Sequence, residues 1–215
     1  MTTPSPKTPA PRLWAGLAAL GVTVACGGAA LSWSGDGDRP RVTDTRAGVS
    51  YTVPEGWRHD PAVDRELLGA FSSRISRASE AAPAEEATVL AGAAGRPVPS
   101  AGLRRAAEGA ARSNAAFFFP DAAPTLTESR RTELGGRPAH TVALDVPHDG
   151  GTARLELTVV AGSHPAFLLA LASNAADSRV LADVHAVEAS VALGDRASRI
   201  RSDGSPGRRE SSVRP

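Results

Sequence analysis

The chain has 215 residues, of which 41% are hydrophobic and 22% are charged, with a formal net charge of +1 and one cysteine. A net charge this small argues against an electrostatic field strong enough to recruit nucleic acid. One cysteine excludes an internal disulfide, so the hydrophobic core alone must stabilise the fold. The length suffices for one domain with terminal segments.

Residues 1–12 and 13–33 form two contrasting N-terminal segments. The first carries four prolines among serines and threonines, a composition typical of a short disordered tail. The second runs without a charge from Leu13 to Trp33, and at about 1.5 Å per residue it is long enough to cross a hydrocarbon core of about 30 Å. Trp14 and Trp33 bracket it where interfacial aromatic residues are expected. We therefore predict one transmembrane or signal-anchor helix over residues 13–33.

Three fates of this apolar segment stay open. As a retained anchor, it would keep Lys7 and Arg12 in the cytoplasm and place the main domain outside the cell membrane in a single-pass topology. As a signal peptide it would be cleaved, and as a lipoprotein signal it would be lipidated at Cys26, although Thr23 stands where that motif has leucine. We favour the anchor because the apolar run continues past Cys26 to Trp33, which a signal peptide does not require. A buried helix of a cytoplasmic domain is disfavoured because the segment has no polar face.

Residues 34–40 are predicted to be a flexible linker of glycine and aspartate, and residues 41–193 one extracytoplasmic α+β domain. Within 49–53, apolar residues alternate with polar ones, as is typical of a half-buried strand. Residues 41–45 are its predicted hairpin partner across a short turn.

The middle of the chain gives weaker signals. We expect a short strand or helical turn over 67–71, a loop over 76–86 and a strand over 88–93. After two prolines, Ser100 is the predicted N-cap of an amphipathic helix that ends near Phe119.

Two aromatic sites have a structural and a functional interpretation. Trp57 follows a turn, and we expect it to seal the core rather than stack on a ligand. The run of three phenylalanines at 117–119 either plugs the core at the helix end or lines a pocket mouth, and we favour the core.

From residue 125 onward, strand-like runs separated by short glycine-rich turns predict a four-stranded antiparallel meander. In the second and third runs apolar residues alternate with polar ones, so one face of the sheet should be buried and the other exposed to solvent or covered. In the third run, Leu155, Leu157 and Val159 should share one face, with Arg154, Glu156 and Thr158 on the other. The four runs are 125–134, 139–146, 153–161 and 167–173.

A closing helix should follow the meander. Asp177 is its predicted N-cap, and an apolar stripe at helical spacing should lie on the sheet. Residues 194–215 are polar and arginine-rich, and we expect a disordered tail. The stripe consists of Val180, Val184, Val187 and Val191.

This order of elements resembles the PsbP-like fold, in particular the actinobacterial exported lipoproteins of the LpqN type. The resemblance covers roughly residues 41–193. It implies an antiparallel sheet flanked by helices and an extracytoplasmic binding or accessory role, and it carries over no active site. The residues that carry it are Tyr51, Val53, Pro54, Gly56, Trp57, Gly136, Pro138, Val187, Ser190, Val191 and Leu193.

The pattern favours no catalytic residue, cofactor site or metal site. The chain has no Gly-x-Ser-x-Gly turn for a serine nucleophile and no glycine-rich phosphate cradle with its lysine. His59 beside Asp60 is interpreted as an exposed turn pair. The five histidines are dispersed, and no two share a helix face at the spacing that metal ligands need: His59, His140, His148, His164 and His185.

We therefore predict a membrane-anchored extracytoplasmic module with a non-enzymatic interaction or accessory role. Its expected partners are the membrane and another cell-envelope protein, with no nucleic acid. The first alternative is a secreted or lipidated carrier of a small apolar ligand, and the second is a hydrolase that uses loop histidines. A large cavity near Trp57 and residues 117–119 would favour the carrier, whereas a filled core with an exposed apolar patch would favour the interaction module.

Overall fold

The computed structural model describes residues 39–78 and 85–194. These residues contain ten strands and three helices. A single turn of 3₁₀ helix, Ser100–Gly102, precedes the second helix. The helices are α1 (Pro61–Asp64), α2 (Leu103–Phe118) and α3 (Ser178–Ala189). The strands are β1 (Arg41–Asp44), β2 (Val49–Thr52), β3 (Arg58–His59), β4 (Phe71–Ala78), β5 (Glu85–Ala93), β6 (Thr125–Leu134), β7 (Arg137–His148), β8 (Gly151–Val160), β9 (Ala166–Ala172) and β10 (Ala192–Leu193).

The strands form two antiparallel sheets. The larger has seven strands in the order β3-β4-β5-β9-β8-β7-β6, and the smaller has three in the order β1-β2-β10. Helix α2 packs on β7 and β8 on one face of the large sheet, while α3 and the small sheet cover the opposite face. The described residues therefore form an α+β fold of three layers, as the sequence predicted.

The predicted C-terminal meander is confirmed, since β6, β7, β8 and β9 are successive neighbours in the large sheet. A two-residue turn at Gly135 and Gly136 joins β6 to β7, and both residues have positive φ, at 55° and 73°. Such a turn matches the twist of the two strands, and only glycine adopts it without strain.

Small residues bring α2 close to the sheet. Leu103, Ala107, Ala111 and Ala115 recur every four residues, and all four are buried against the apolar side chains of β7, β8 and β9. Alanine also has the highest helix propensity, so the same residues favour the helix and its close packing.

The opposite face buries Trp57 and the valine stripe of α3. Trp57 is 6% exposed, and its indole Nε1 donates a hydrogen bond to Asp183 Oδ2 on α3 at 3.0 Å. The structural interpretation of Trp57 is thus confirmed. Asp177 caps α3 by accepting from the backbone N–H groups of Arg179 and Val180, as predicted. Val191 is also buried, but it lies beyond the end of the helix.

Several local predictions were wrong. Ser100 is not an N-cap, because α2 begins after the 3₁₀ turn and Gly102 at its N-cap makes no side-chain bond. The closing helix stops at Ala189, since Ser190 caps it and the chain then pairs with β2 as strand β10. Residues 76–78 and 85–86 of the predicted loop are strand residues, because cross-strand pairing extends β4 to Ala78 and β5 back to Glu85.

His59 is likewise not an exposed turn residue. It lies in β3, and its Nε2 is 2.9 Å from Asp64 Oδ2 of α1, with the imidazole 24% exposed. Its neighbour Asp60 has a separate role, since it caps α1 by accepting from the Ala62 N–H at 2.8 Å. The partner of His59 is therefore Asp64 of α1, five residues later in the chain, and not the adjacent Asp60.

The predictions for residues 1–38 and 195–215 lie outside the described residues, as do residues 79–84 of the predicted loop. They comprise the N-terminal tail, the apolar segment from Leu13 to Trp33 with Cys26, most of the linker and nearly all of the arginine-rich tail. Within residues 39–78 and 85–194, no helix is long and apolar enough to span a membrane.

Candidate functional site

Four of the five phenylalanines form a continuous chain of ring contacts at one corner of the α2 face. Phe167 on β9 meets Phe71 on β4 with 5.7 Å between ring centroids, and Phe71 meets Phe118 at 6.2 Å. Phe118 meets Phe117 edge to face at 5.0 Å. These separations lie in the range of favourable aromatic pairs. The chain of rings leads from the core to the surface.

Gly92 on β5 allows this contact between strands that are not neighbours. It pairs with Phe71 on one side and with Phe167 on the other. A Cβ atom at this position would lie 2.1 Å from the Ala70 carbonyl oxygen and 2.6 Å from the Phe167 ring. Because glycine has no side chain, the two rings meet across β5.

The outer end of the aromatic chain is open to solvent. Phe117 is 69% exposed, and Leu68, three residues before β4 begins at Phe71, is 78% exposed. We call Phe71, Phe117, Phe118 and Phe167 the aromatic corner.

Charged residues of both signs lie close in the chain to the rings of the aromatic corner. The Arg46 guanidinium donates to the Gly69 carbonyl oxygen at 3.2 Å beside Leu68. The exposed Arg65 and Glu66 precede Leu68 in the chain, and the exposed Asp121 follows α2. An apolar centre with a mixed polar rim is typical of a surface that binds another protein. A uniformly basic rim would instead have favoured anionic lipid.

The three consecutive phenylalanines thus have three different surroundings. Phe119 plugs the core at 4% exposure and contacts the His148 ring at 5.2 Å, as the structural interpretation predicted. Phe118 is half-buried, and Phe117 points outward. Consecutive residues at a helix end point in different directions, so a run of three cannot share one face.

The loop histidines of the hydrolase alternative do not meet. His148 lies at the end of β7 beside Asp149, at 2.9 Å, and His164 lies in the turn after β8 beside Ser163, at 3.2 Å. These turns are at opposite ends of β8, whose ten residues span about 30 Å. No single substrate bond can reach both histidines, so the structure does not support this hydrolase.

A serine and a histidine do meet on the α2 face, where sequence reasoning did not connect them. Ser129 Oγ lies 2.9 Å from His140 Nε2 and donates its proton to Glu108 Oε1 at 2.8 Å. Because the serine has one proton, His140 must donate its own N–H to Ser129 Oγ. A serine hydrolase needs the reverse, a histidine nitrogen that accepts the serine proton.

The protonation states support a structural role for this triplet. Hydrogen bonds from Arg104 and Ser129 hold the pKa of Glu108 below its ordinary value, so the carboxylate is charged and accepts. Burial lowers the pKa of His140, which keeps the imidazole neutral. The triplet therefore ties α2 to β6 and β7. The signal in the sequence is the predicted turn at Gly135 and Gly136, which sets the register of β6 against β7. In that register Ser129 and His140 are diagonal neighbours.

Metal binding has no support in the described part of the chain. Among residues 39–78 and 85–194, no three side chains of histidine, cysteine, aspartate or glutamate are grouped so that they could hold a metal ion.

Comparisons with known proteins identify the fold. No protein-family model and no curated protein matches the chain. The solution structure of cyanobacterial PsbP, CyanoP, from Synechocystis sp. PCC 6803 is similar with a TM-score of 0.54 at 12% sequence identity, over 79% of this chain and 98% of that chain. The crystal structure of LpqN, involved in cell envelope biogenesis of Mycobacterium tuberculosis, is similar with a TM-score of 0.49 at 16% identity, over 68% of this chain and 83% of that chain. The likeness to CyanoP shows a PsbP-like fold, as the resemblance in sequence implied.

Proposed function

We propose that this PsbP-like domain is a non-enzymatic interaction module that binds another cell-envelope protein through the aromatic corner. The observation that carries the proposal is the exposed end of the aromatic chain at Phe117 above a core of buried side chains. The proposed layout keeps the module at the cell membrane with its domain outside. Its parts are a tail (1–12), an anchor (13–33), a linker (34–40), the domain (41–193) and a second tail (194–215).

The packing around Trp57 and Phe119 distinguishes the module from a carrier. A carrier would leave space between sheet and helix for its ligand. Trp57 is instead packed among the buried residues beneath α3, and Phe119 among those beneath α2. Apolar area is available on the surface, at Leu68 and Phe117. This distribution supports protein binding over ligand storage.

Photo-crosslinking in intact cells tests the proposed surface. With p-benzoylphenylalanine in place of Phe117 in the full chain, we expect one discrete adduct with another envelope protein. The substitution Phe118→Ala should reduce the yield of that adduct at least severalfold, because it removes the ring that contacts Phe117 in the same corner. Adducts are measured by electrophoresis and identified by mass spectrometry.

The matched control places the same photo-reactive residue at Arg105, which is exposed on the first turns of α2. It lies 12 residues before Phe117, about 18 Å away along the helix. We expect no discrete adduct there. Adducts of equal yield at both positions, or an adduct with lipid alone at position 117, would contradict the proposal.

The proposed anchor has its own test in intact protoplasts. Protease added outside should digest the chain after Ser34 and leave the first 12 residues shielded. Cys26→Ala should change neither membrane attachment nor mass, because a 21-residue apolar helix holds the protein without a lipid. Protection of residues 41–193 would refute export, and loss of attachment in the Cys26→Ala variant would revive the lipoprotein alternative.

A further inference from the structure

A group of charged side chains lies on the sheet face opposite α2, beside α3. Cross-strand pairing places these side chains in adjacent rows of β6, β7 and β8, and α3 contributes the last. We call this group the charged cluster. It consists of Glu128, Arg130, Asp145, Arg154, Glu156 and Glu188.

Glu156 is the buried centre of the charged cluster. Its side chain is 2% exposed, yet neither carboxylate oxygen has a hydrogen-bond partner. The nearest cationic nitrogens are Arg130 Nη2 at 4.0 Å, Arg154 Nε at 3.9 Å and His185 Nε2 at 3.5 Å. The two arginine distances exceed that of a hydrogen bond, and the contact to His185 makes none. A buried carboxylate without donors is costly, so this arrangement needs an explanation.

The strand register explains why no neighbour reaches Glu156. Its cross-strand partners are Ala143 on β7 and Ala170 on β9, which have no donor group. Both alanines are buried, and neither offers Glu156 a polar side chain along its row. The carboxylate therefore finds no hydrogen-bond donor among the side chains of its cross-strand neighbours.

Both arginines donate to other carboxylates, although Arg154 Nε has no hydrogen-bond partner of its own. Arg154 Nη1 donates to Asp145 Oδ1 at 3.0 Å, and Arg130 bonds Glu128 on its own strand. On α3, Glu188 accepts a hydrogen bond from the Thr158 hydroxyl at 2.7 Å. The cluster thus holds four carboxylates against two guanidinium groups, and its surplus charge is negative.

Two of the cations near Glu156 belong to exposed side chains. Arg130 is 43% exposed and His185 is 56% exposed, whereas Glu156 is 2% exposed. Exposed long side chains change rotamer at little cost, whereas Glu156 lies in the central part of a strand. Rotation of the Arg130 and His185 side chains would therefore open Glu156 to a competing cation without a change in the backbone.

We propose that Glu156 anchors a binding site for an organic cation with several N–H donors, a guanidinium or a primary ammonium group. Such a group would displace Arg130 and His185 and donate to both oxygens of Glu156, and the surplus negative charge of the cluster would attract it. This inference goes beyond the proposed function and does not depend on the aromatic corner. Burial raises the pKa of Glu188, so that carboxyl loses its charge early as the pH falls, and binding should weaken in acid.

The test is calorimetric titration of the full-length chain in detergent with agmatine and, separately, with a capped tri-arginine peptide. We expect saturable binding of at least one probe. Glu156→Gln keeps the shape and removes the charge, and it should weaken binding at least tenfold. Arg130→Ala removes the competing internal cation and should tighten binding severalfold.

Glu133→Gln is the matched control, because Glu133 is an exposed glutamate on β6 outside the charged cluster. The affinity of this variant should equal that of the parent. Tighter binding of the peptide would indicate an arginine side chain of a polypeptide, and tighter binding of agmatine a free amine. No saturable binding, an unchanged affinity in Glu156→Gln, or weaker binding in Arg130→Ala with an unchanged melting temperature would each overturn the proposal.

Discussion

Replacing Val187 by aspartate should unfold the domain. Val187 is 0% exposed and packs in the core between α3 and the sheet. Its loss forfeits roughly 2 kcal/mol of apolar burial, and an unpaired charge at this position adds several kcal/mol more. The sum approaches the roughly 5–15 kcal/mol that stabilises a typical domain. Circular dichroism during thermal and urea denaturation would measure the loss.

Ala182→Asp provides the comparison for Val187→Asp. Ala182 lies in the same helix but is exposed, so its change introduces the same charge without burying it. We expect a change in the free energy of unfolding within about 0.5 kcal/mol. If Val187→Asp melted like Ala182→Asp, the assignment of α3 to the core would be wrong.

Gly92→Ala should be the second most damaging change, although it adds one methyl group. That methyl would lie 2.1 Å from the backbone oxygen of Ala70, which cannot rotate away, and 2.6 Å from the Phe167 ring. Overpacking of this kind costs about 3 kcal/mol, or roughly 10 °C in melting temperature for a domain of this size. Because the added group separates Phe71 from Phe167, the yield of the Phe117 adduct should fall as well.

Gly109→Ala is the control for the same chemical change. Gly109 is exposed in the middle of α2, and a Cβ atom there meets nothing within 4 Å. Alanine should stabilise the helix by about 1 kcal/mol and raise the melting temperature by a few degrees. Equal effects at the two glycines would show that β5 does not approach Ala70 as closely as described.

Much of the secondary structure could be predicted from local patterns. The strand-like run that ends at paired glycines located β6 to its last residue and the turn at residues 135–136, and Asp177 marked the start of α3. These features depend on residues close in sequence, whose period and turn chemistry decide the backbone conformation. β10 was missed because its two residues become a strand only by pairing with β2.

For the site residues as well, local sequence predicted some features, and contacts between distant strands decided the others. The period of β8 placed Leu155 and Glu156 on opposite faces, but periodicity says nothing about what lies against each face. Phe117 and Phe119 are the same residue type two positions apart, so the sequence does not distinguish them. Only the rotation of α2 against the sheet exposes the first and buries the second. Glu156 lacks a donor only because the register sets alanines beside it on β7 and β9. Local sequence therefore determines which elements form, whereas contacts between distant strands determine which side chains remain open to a partner.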